Sequence, residues 1–224
     1  MNEDRDHSNL HSEINEKDEL TKDHSTDEQE YDKDQHNHDQ ASEEFDQTEP
    51  AVEPLYKVSE DWSIVPIKEN VNEKAILLTI DDAPDEYALD MAKTLYDLNA
   101  GAVFFVNGHL LENEENRNIV KEIYDMGFII GNHTYSHANL TELNEEEQLK
   151  EIVSVNDVIE EITGERPTLF RAPFGINTDF SKQVVQDEGM ILMNWSYGYD
   201  WEKEYMTKES LTDIMLNTNL LSSG

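Results

Sequence analysis

Five short apolar runs recur along the chain, at 75–80 (AILLTI), 102–106 (AVFFV), 128–131 (FIIG), 168–170 (TLF) and 190–195 (MILMNW). Helix-like segments fill the gaps between them. Residues 85–98 set Ala88, Met91, Leu95 and Leu98 at helical spacing, with Gly101 just beyond the end. A second segment, 117–126, stops at Gly127. The longest starts near Asn144, with Glu147 as its capping-box partner, and runs through Leu149, Ile152, Val155, Ile159 and Ile162 to Gly164. Thr178 and Thr207 are suited to N-cap two more. Strand and helix in strict alternation specify a parallel β/α architecture, either a barrel or an open doubly wound sheet. In both, functional side chains gather at the C-terminal ends of the strands.

This pattern begins only after residue 74. Residues 1–54 hold 19 acidic and 4 basic residues and five of the eight histidines, with almost nothing apolar. Such a segment cannot bury enough surface to offset its ordering entropy, so a disordered acidic tail is expected. Its HNHD stretch (His36, His38, Asp39) reads as part of a solvated spacer. Residues 55–73 read as a connector, and 74–224 as the folded domain. The net charge of −35 opposes a nucleic-acid partner or an anionic membrane surface, both of which select basic proteins. With no cysteine, any metal must be held by His, Asp or Glu. No stretch has the length and apolarity of a membrane span, and the N-terminus lacks the basic-then-apolar pattern of a secretory signal. Either the protein stays inside the cell or an export segment lies upstream.

The strand ends carry an unusual set of polar residues. Asp81 and Asp82 follow the first run; His133 and His137 (HTYSH) follow the third. Arg171 (RAPFG) follows the fourth, and Asp200 and Trp201 (YDW) follow the fifth. Two histidines at i, i+4 on a helical turn face the same way and can share a metal, although the spacing alone equally describes two surface residues. With an aspartate they make a His₂Asp set with open positions, compatible with zinc or with a non-haem iron facial triad. Adjacent acids point apart, so one can bind a cation while the other stays free as a base.

In order and spacing, LTIDDAP, HTYSH, RAPFG and YDW resemble the first four motifs of NodB-like polysaccharide deacetylases, carbohydrate esterase family 4. The resemblance covers residues 75–201. It implies a distorted parallel (β/α) barrel and metal-dependent removal of N-acetyl groups from amino-sugar polymers, peptidoglycan first and chitooligosaccharide next. It also implies that Asp81 is the general base and that Asp82, His133 and His137 ligate a divalent metal, Zn²⁺ with Co²⁺ or Mn²⁺ as alternatives. Arg171 would orient Asp81, the Phe174 N–H would face the oxyanion, Trp201 would wall the acetyl pocket, and Asp200 would tune the general acid. An extracellular or cell-wall location follows from the same resemblance.

The chain departs from the family's pattern in two motifs. In the first, Ile80 stands where the family has Phe and Ala83 where it has Gly, so the turn there is expected to differ slightly. The family's fifth motif, a Leu-x-His that supplies the general acid, has no counterpart, since no histidine follows His137. The expectation is therefore a barrel incomplete at its C-terminus, or an impaired metal- or glycan-binding remnant. Extending the chain with a strand that carries this His should give acetate release from amino-sugar polymers; an extended chain that releases none would contradict the enzyme reading.

Overall fold

The structure, a computed structural model, describes residues 53–217; the acidic tail expected at 1–54 lies almost wholly outside them. Seven strands and five helices follow in order: β1 (Tyr56–Val58), β2 (Ile64–Pro66), β3 (Leu78–Ala83), α1 (Ala88–Asp97), β4 (Ala102–Val106), α2 (Glu114–Asp125), β5 (Ile129–Asn132), α3 (Glu145–Thr163), β6 (Leu169–Arg171), α4 (Asp179–Asp187), β7 (Ile191–Met193) and α5 (Lys208–Leu216). Strands β3 to β7 form one parallel sheet in sequence order. A doubly wound sheet reverses direction partway; this one does not. Right-handed crossovers that always advance the same way put every helix on one side, which is barrel winding. Among the described residues the five strands do not close.

Side chains of β4 show the two layers. Ala102, Phe104 and Val106 pack toward α1, α2 and α3, with Val120, Ile123, Val155 and Ile159. Val103 and Phe105 point the other way, to an inner layer with Met193, Leu169, Val58 and Ile64. Residues 55–73 are therefore more than a connector: β1 and β2 pair antiparallel, and one apolar residue of each covers the sheet's inner face. Three-residue strands carry too little periodicity to stand out in a sequence.

Caps end the helices where the sequence put them. Asn144 and Glu147 form a reciprocal capping box on α3, which Gly164 closes in the left-handed conformation at φ 86°. Thr178 caps α4 and Thr207 caps α5. Two apolar residues placed on helix faces by spacing are not buried. Leu98 is the C-cap of α1 and is 70% exposed, and Leu149 on α3 is 44% exposed.

Gly131, in β5 beside β4, marks a close approach. A Cβ there would sit 2.5 Å from the buried Phe105 ring and 3.3 Å from the Leu169 carbonyl oxygen. Gly131→Ala is expected to cost about 1–3 kcal/mol through overpacking. Urea unfolding would check this, and a loss under about 0.5 kcal/mol would refute the close approach.

Candidate active site

Paired acids at a strand end pose a geometric problem, because neighbours on a regular strand point to opposite faces. The register resolves it. Ile80 pairs with Phe104 but Ala83 pairs with Val106, so β3 holds one extra residue against β4. Such a bulge re-aims side chains. The left-handed residue is Asp82, at φ 56°, and not Ala83, which has no positive φ. Aspartate tolerates this conformation better than most residues. The turn thus accommodates Ala83, buried at 1% exposure, by moving the strain one residue back.

The two acids then serve different partners. Asp81 accepts from Arg171 Nη1 at 2.7 Å. Asp82 Oδ1 lies 3.7 Å from His133 Nε2 and 3.4 Å from His137 Nε2. Arg171 is buried to 2% exposure on the inner face and also donates to Thr79 Oγ1 and the Asn194 carbonyl. Its guanidinium lies over the Phe105 ring at 4.5 Å, with Trp195 at 6.0 Å.

His133 and His137 do not share a helical turn. Residues 133–139 are irregular, with Thr134 at φ 66° and His137 at φ 58°. Each such residue costs on the order of 1–3 kcal/mol and persists only where its surroundings over-determine it. Here they do: Asn107 Nδ2 donates to the carbonyls of His133 and Thr134, and Glu151 accepts from the Ser136 N–H and hydroxyl. The rings still converge, with centroids 5.1 Å apart.

His133 Nδ1 donates to the Arg171 carbonyl at 2.7 Å, which leaves the Nε2 lone pair facing Asp82. Burial pushes the His133 pKa below its ordinary 6.5, against the pull of Asp81 and Asp82, so the neutral, ligating form prevails at pH 7. The candidate ligand atoms of Asp82, His133 and His137 all lie within 4.8 Å of one another. Ligands about 2.0–2.2 Å from a common zinc-like ion stand roughly 3–4 Å apart, so the residues fit a divalent cation.

Phe174 adopts φ 59° in the turn after β6 and sets its ring 5.0 Å from His137. The N–H groups of Gly175 and Ile176 bond back into this turn, and that of Phe174 takes no part in those bonds. Trp201 is 55% exposed and packs on Trp195, so it is not a core residue. Asp200 is exposed and makes no hydrogen bond among the described residues. Sequence reasoning passed over Thr79, Asn107, Asn132, Asn194 and Trp195. The available signal was an asparagine at the end of β4, of β5 and of β7, a poor strand former where an apolar run stops.

Residues 68–193 match the sequence model of polysaccharide deacetylases, and the chain belongs to that family. Among its relatives is the peptidoglycan-N-acetylglucosamine deacetylase of Bacillus cereus, 32% identical over 155 residues, 68% of this chain and 54% of that protein. The peptidoglycan-N-acetylmuramic acid deacetylase PdaC of Bacillus subtilis is 34% identical over 151 residues, 65% of this chain and 30% of that protein. The PdaC structure superposes with a TM-score of 0.54, over 64% of this chain and 69% of that one, at 30% identity. A carbohydrate esterase family 4 pseudoenzyme from Bacillus anthracis superposes with a TM-score of 0.57, over 64% and 51% of the two chains, at 27% identity. The chain spans about half the length of the first curated relative and under a third of the second. Likeness of fold extends to enzymes and a pseudoenzyme alike, so activity has to be read from the site's own residues.

The unlike surroundings of the two acids are separable by stability. Asp81→Ala strands a buried guanidinium and should cost about 2–3 kcal/mol, less than a fully enclosed pair because Thr79 and Asn194 still accept from Arg171. Asp82→Ala, at a side chain 62% exposed, should stay within about 1 kcal/mol of the parent. Urea unfolding of the two metal-free variants checks the contrast, and equal losses would contradict it.

Proposed function

We propose that this protein hydrolyses N-acetyl groups from the amino sugars of peptidoglycan, N-acetylglucosamine or N-acetylmuramic acid, using a divalent cation held by Asp82, His133 and His137. The observation that carries the reading is the division of the adjacent acids, one on two imidazoles and one on a buried arginine. The names of the relatives support the substrate class. Zn²⁺ suits two imidazoles and a carboxylate, and Co²⁺ or Mn²⁺ could replace it.

The cation would supply Lewis acidity toward the amide carbonyl and an acidified water. Asp81, which pairs with Arg171 rather than with either imidazole, takes the proton of the attacking water. The Phe174 N–H donates to the carbonyl oxygen as negative charge develops there, next to His137. Trp201, stacked on Trp195, walls the acetyl group. The amine must leave protonated; Asp200 tunes that step, and no described residue is assigned as the donor itself. In this reading the partner is an amino-sugar polysaccharide and the protein acts outside the cell or at its wall. No helix among the described residues is long and apolar enough to cross a membrane. Residues 74–224 form the deacetylase domain in this reading. A second reading, a metal- or glycan-binding protein without turnover, is favoured by the equal likeness to the pseudoenzyme.

Acetate release from peptidoglycan and from chitooligosaccharide, with Zn²⁺, Co²⁺, Mn²⁺ or a chelator, separates these readings. Release from peptidoglycan that stops with chelator is expected. Asp82→Asn should lose metal binding, whereas Asp81→Asn should keep it and lose about 10²–10⁴-fold in rate. Metal binding with no acetate from either substrate would favour the second reading.

A further inference from the structure

The strained loop between His133 and His137 is braced from beneath by a hydrogen-bond relay that reaches the surface. Asn132, fully buried, accepts from the Thr134 N–H at 2.8 Å through its side-chain oxygen. Its amide nitrogen is committed to the Ile152 carbonyl at 2.8 Å and to Asn156 Oδ1 at 2.6 Å. Asn156, 1% exposed, in turn donates to Glu188 Oε2 at 2.9 Å. Glu188 accepts from Arg166 Nη2 at 2.6 Å, and Arg166 is itself held by Asp157 and Glu160.

The relay has a direction. An amide can turn either its oxygen or its nitrogen toward a neighbour, whereas an ionised carboxylate only accepts. Glu188 therefore forces Asn156 to donate, which turns the Asn156 oxygen to Asn132. The Ile152 carbonyl, which can only accept, holds Asn132 in the matching sense, with its nitrogen toward the Asn156 oxygen and its oxygen toward the Thr134 N–H. If either amide flipped, an N–H would confront an N–H beneath the loop.

We infer that Asn132, Asn156 and Glu188 are positioning residues for the Asp82/His133/His137 site, with the Glu188 carboxylate setting the orientation of Asn156, and Asn156 and the Ile152 carbonyl together locking Asn132 beneath the loop that carries the two histidines. None of the three lies in the motifs that mark the family. Glu188 acts from the C-cap of α4, through Asn156 on α3. In its metal-binding consequence the inference rests on the reading given under Proposed function. In its effect on the loop it does not.

The test measures two quantities on the 224-residue chain and its variants: Zn²⁺ affinity by chelator competition, with the Co²⁺ absorption spectrum, and hydrogen exchange of the Thr134 amide in metal-free protein. Asn132→Ala should weaken Zn²⁺ binding about 10–100-fold, the usual effect of removing an outer partner of a metal site. Glu188→Ala should weaken it less and alter the Co²⁺ spectrum, and both variants should speed Thr134 exchange. Glu188→Gln keeps one acceptor oxygen, which the Arg166 donor can hold toward Asn156, but loses the acceptor-only character of the carboxylate, so it should restore both quantities in part. Ile159→Ala, a core truncation on α3, serves as the control that loses stability without either effect. If Asn132→Ala does not fold, Glu188→Ala, at a partly buried helix end, decides the matter. Unchanged Thr134 exchange in Glu188→Ala would overturn the relay. Faster exchange with unaltered Zn²⁺ affinity and Co²⁺ spectrum would overturn its role at the metal site. Failure of the parent to bind Zn²⁺ or Co²⁺ would overturn the metal reading and that role together, while Thr134 exchange would still judge the relay.

Discussion

Arg171 holds a full positive charge at 2% exposure, and most of the inner face is arranged around that fact. A buried guanidinium is costly unless its donors find acceptors and its faces find rings. Strand β3 supplies Thr79 and Asp81, β4 lays Phe105 beneath it, and the residue after β7 offers a carbonyl. The backbone carbonyl of Arg171 then fixes the His133 tautomer. One residue thereby connects four strands, holds the candidate base and orients a candidate metal ligand. Buried ion pairs of this kind are weak evidence for stability and better evidence for a single required geometry.

Much of this was legible in the sequence. The repeated run-and-helix pattern located all five strands of the main sheet within about three residues at each end, and the capping residues Asn144, Thr178 and Thr207 located three helix starts. Of the polar residues singled out, Asp81, Asp82 and Arg171 lie in strand ends and His133 directly after one, whereas His137 and Asp200 lie further along the following loops. What escaped reading was conformational. The bulge depends on how β3 meets β4, which neither segment encodes alone. The left-handed backbone at Asp82, Thr134 and His137 contradicts local preference and exists because surrounding bonds enforce it. A spacing of four between histidines suggested a helical turn; an irregular loop brings the rings together by another route. The hairpin of β1 and β2 was missed because its strands are three residues long and only partly apolar.

The family explains why these departures concentrate where they do. Elements that only pack follow propensity closely, and elements that present the site do not. Asp82 and His137 take backbone conformations that favour glycine, yet neither can be glycine without losing its carboxylate or imidazole. The asparagines beneath them are buried polar groups that bond to the loop and to one another. Similar scaffolds among the relatives include both a peptidoglycan deacetylase and a pseudoenzyme, so the scaffold alone does not decide activity.

The agreement between strand order and chain order has a consequence for synthesis. As the chain emerges from the ribosome, each strand from β4 to β7 can settle beside the one made just before it, with no gap held open for a later arrival. Asp81, by contrast, waits 90 residues for Arg171, and His133 waits 38 for the Arg171 carbonyl. The scaffold can therefore grow one unit at a time, while the ligand set converges only after β6 has emerged and docked. A nascent chain shorter than that has three of the five described helices but lacks the carbonyl that orients His133.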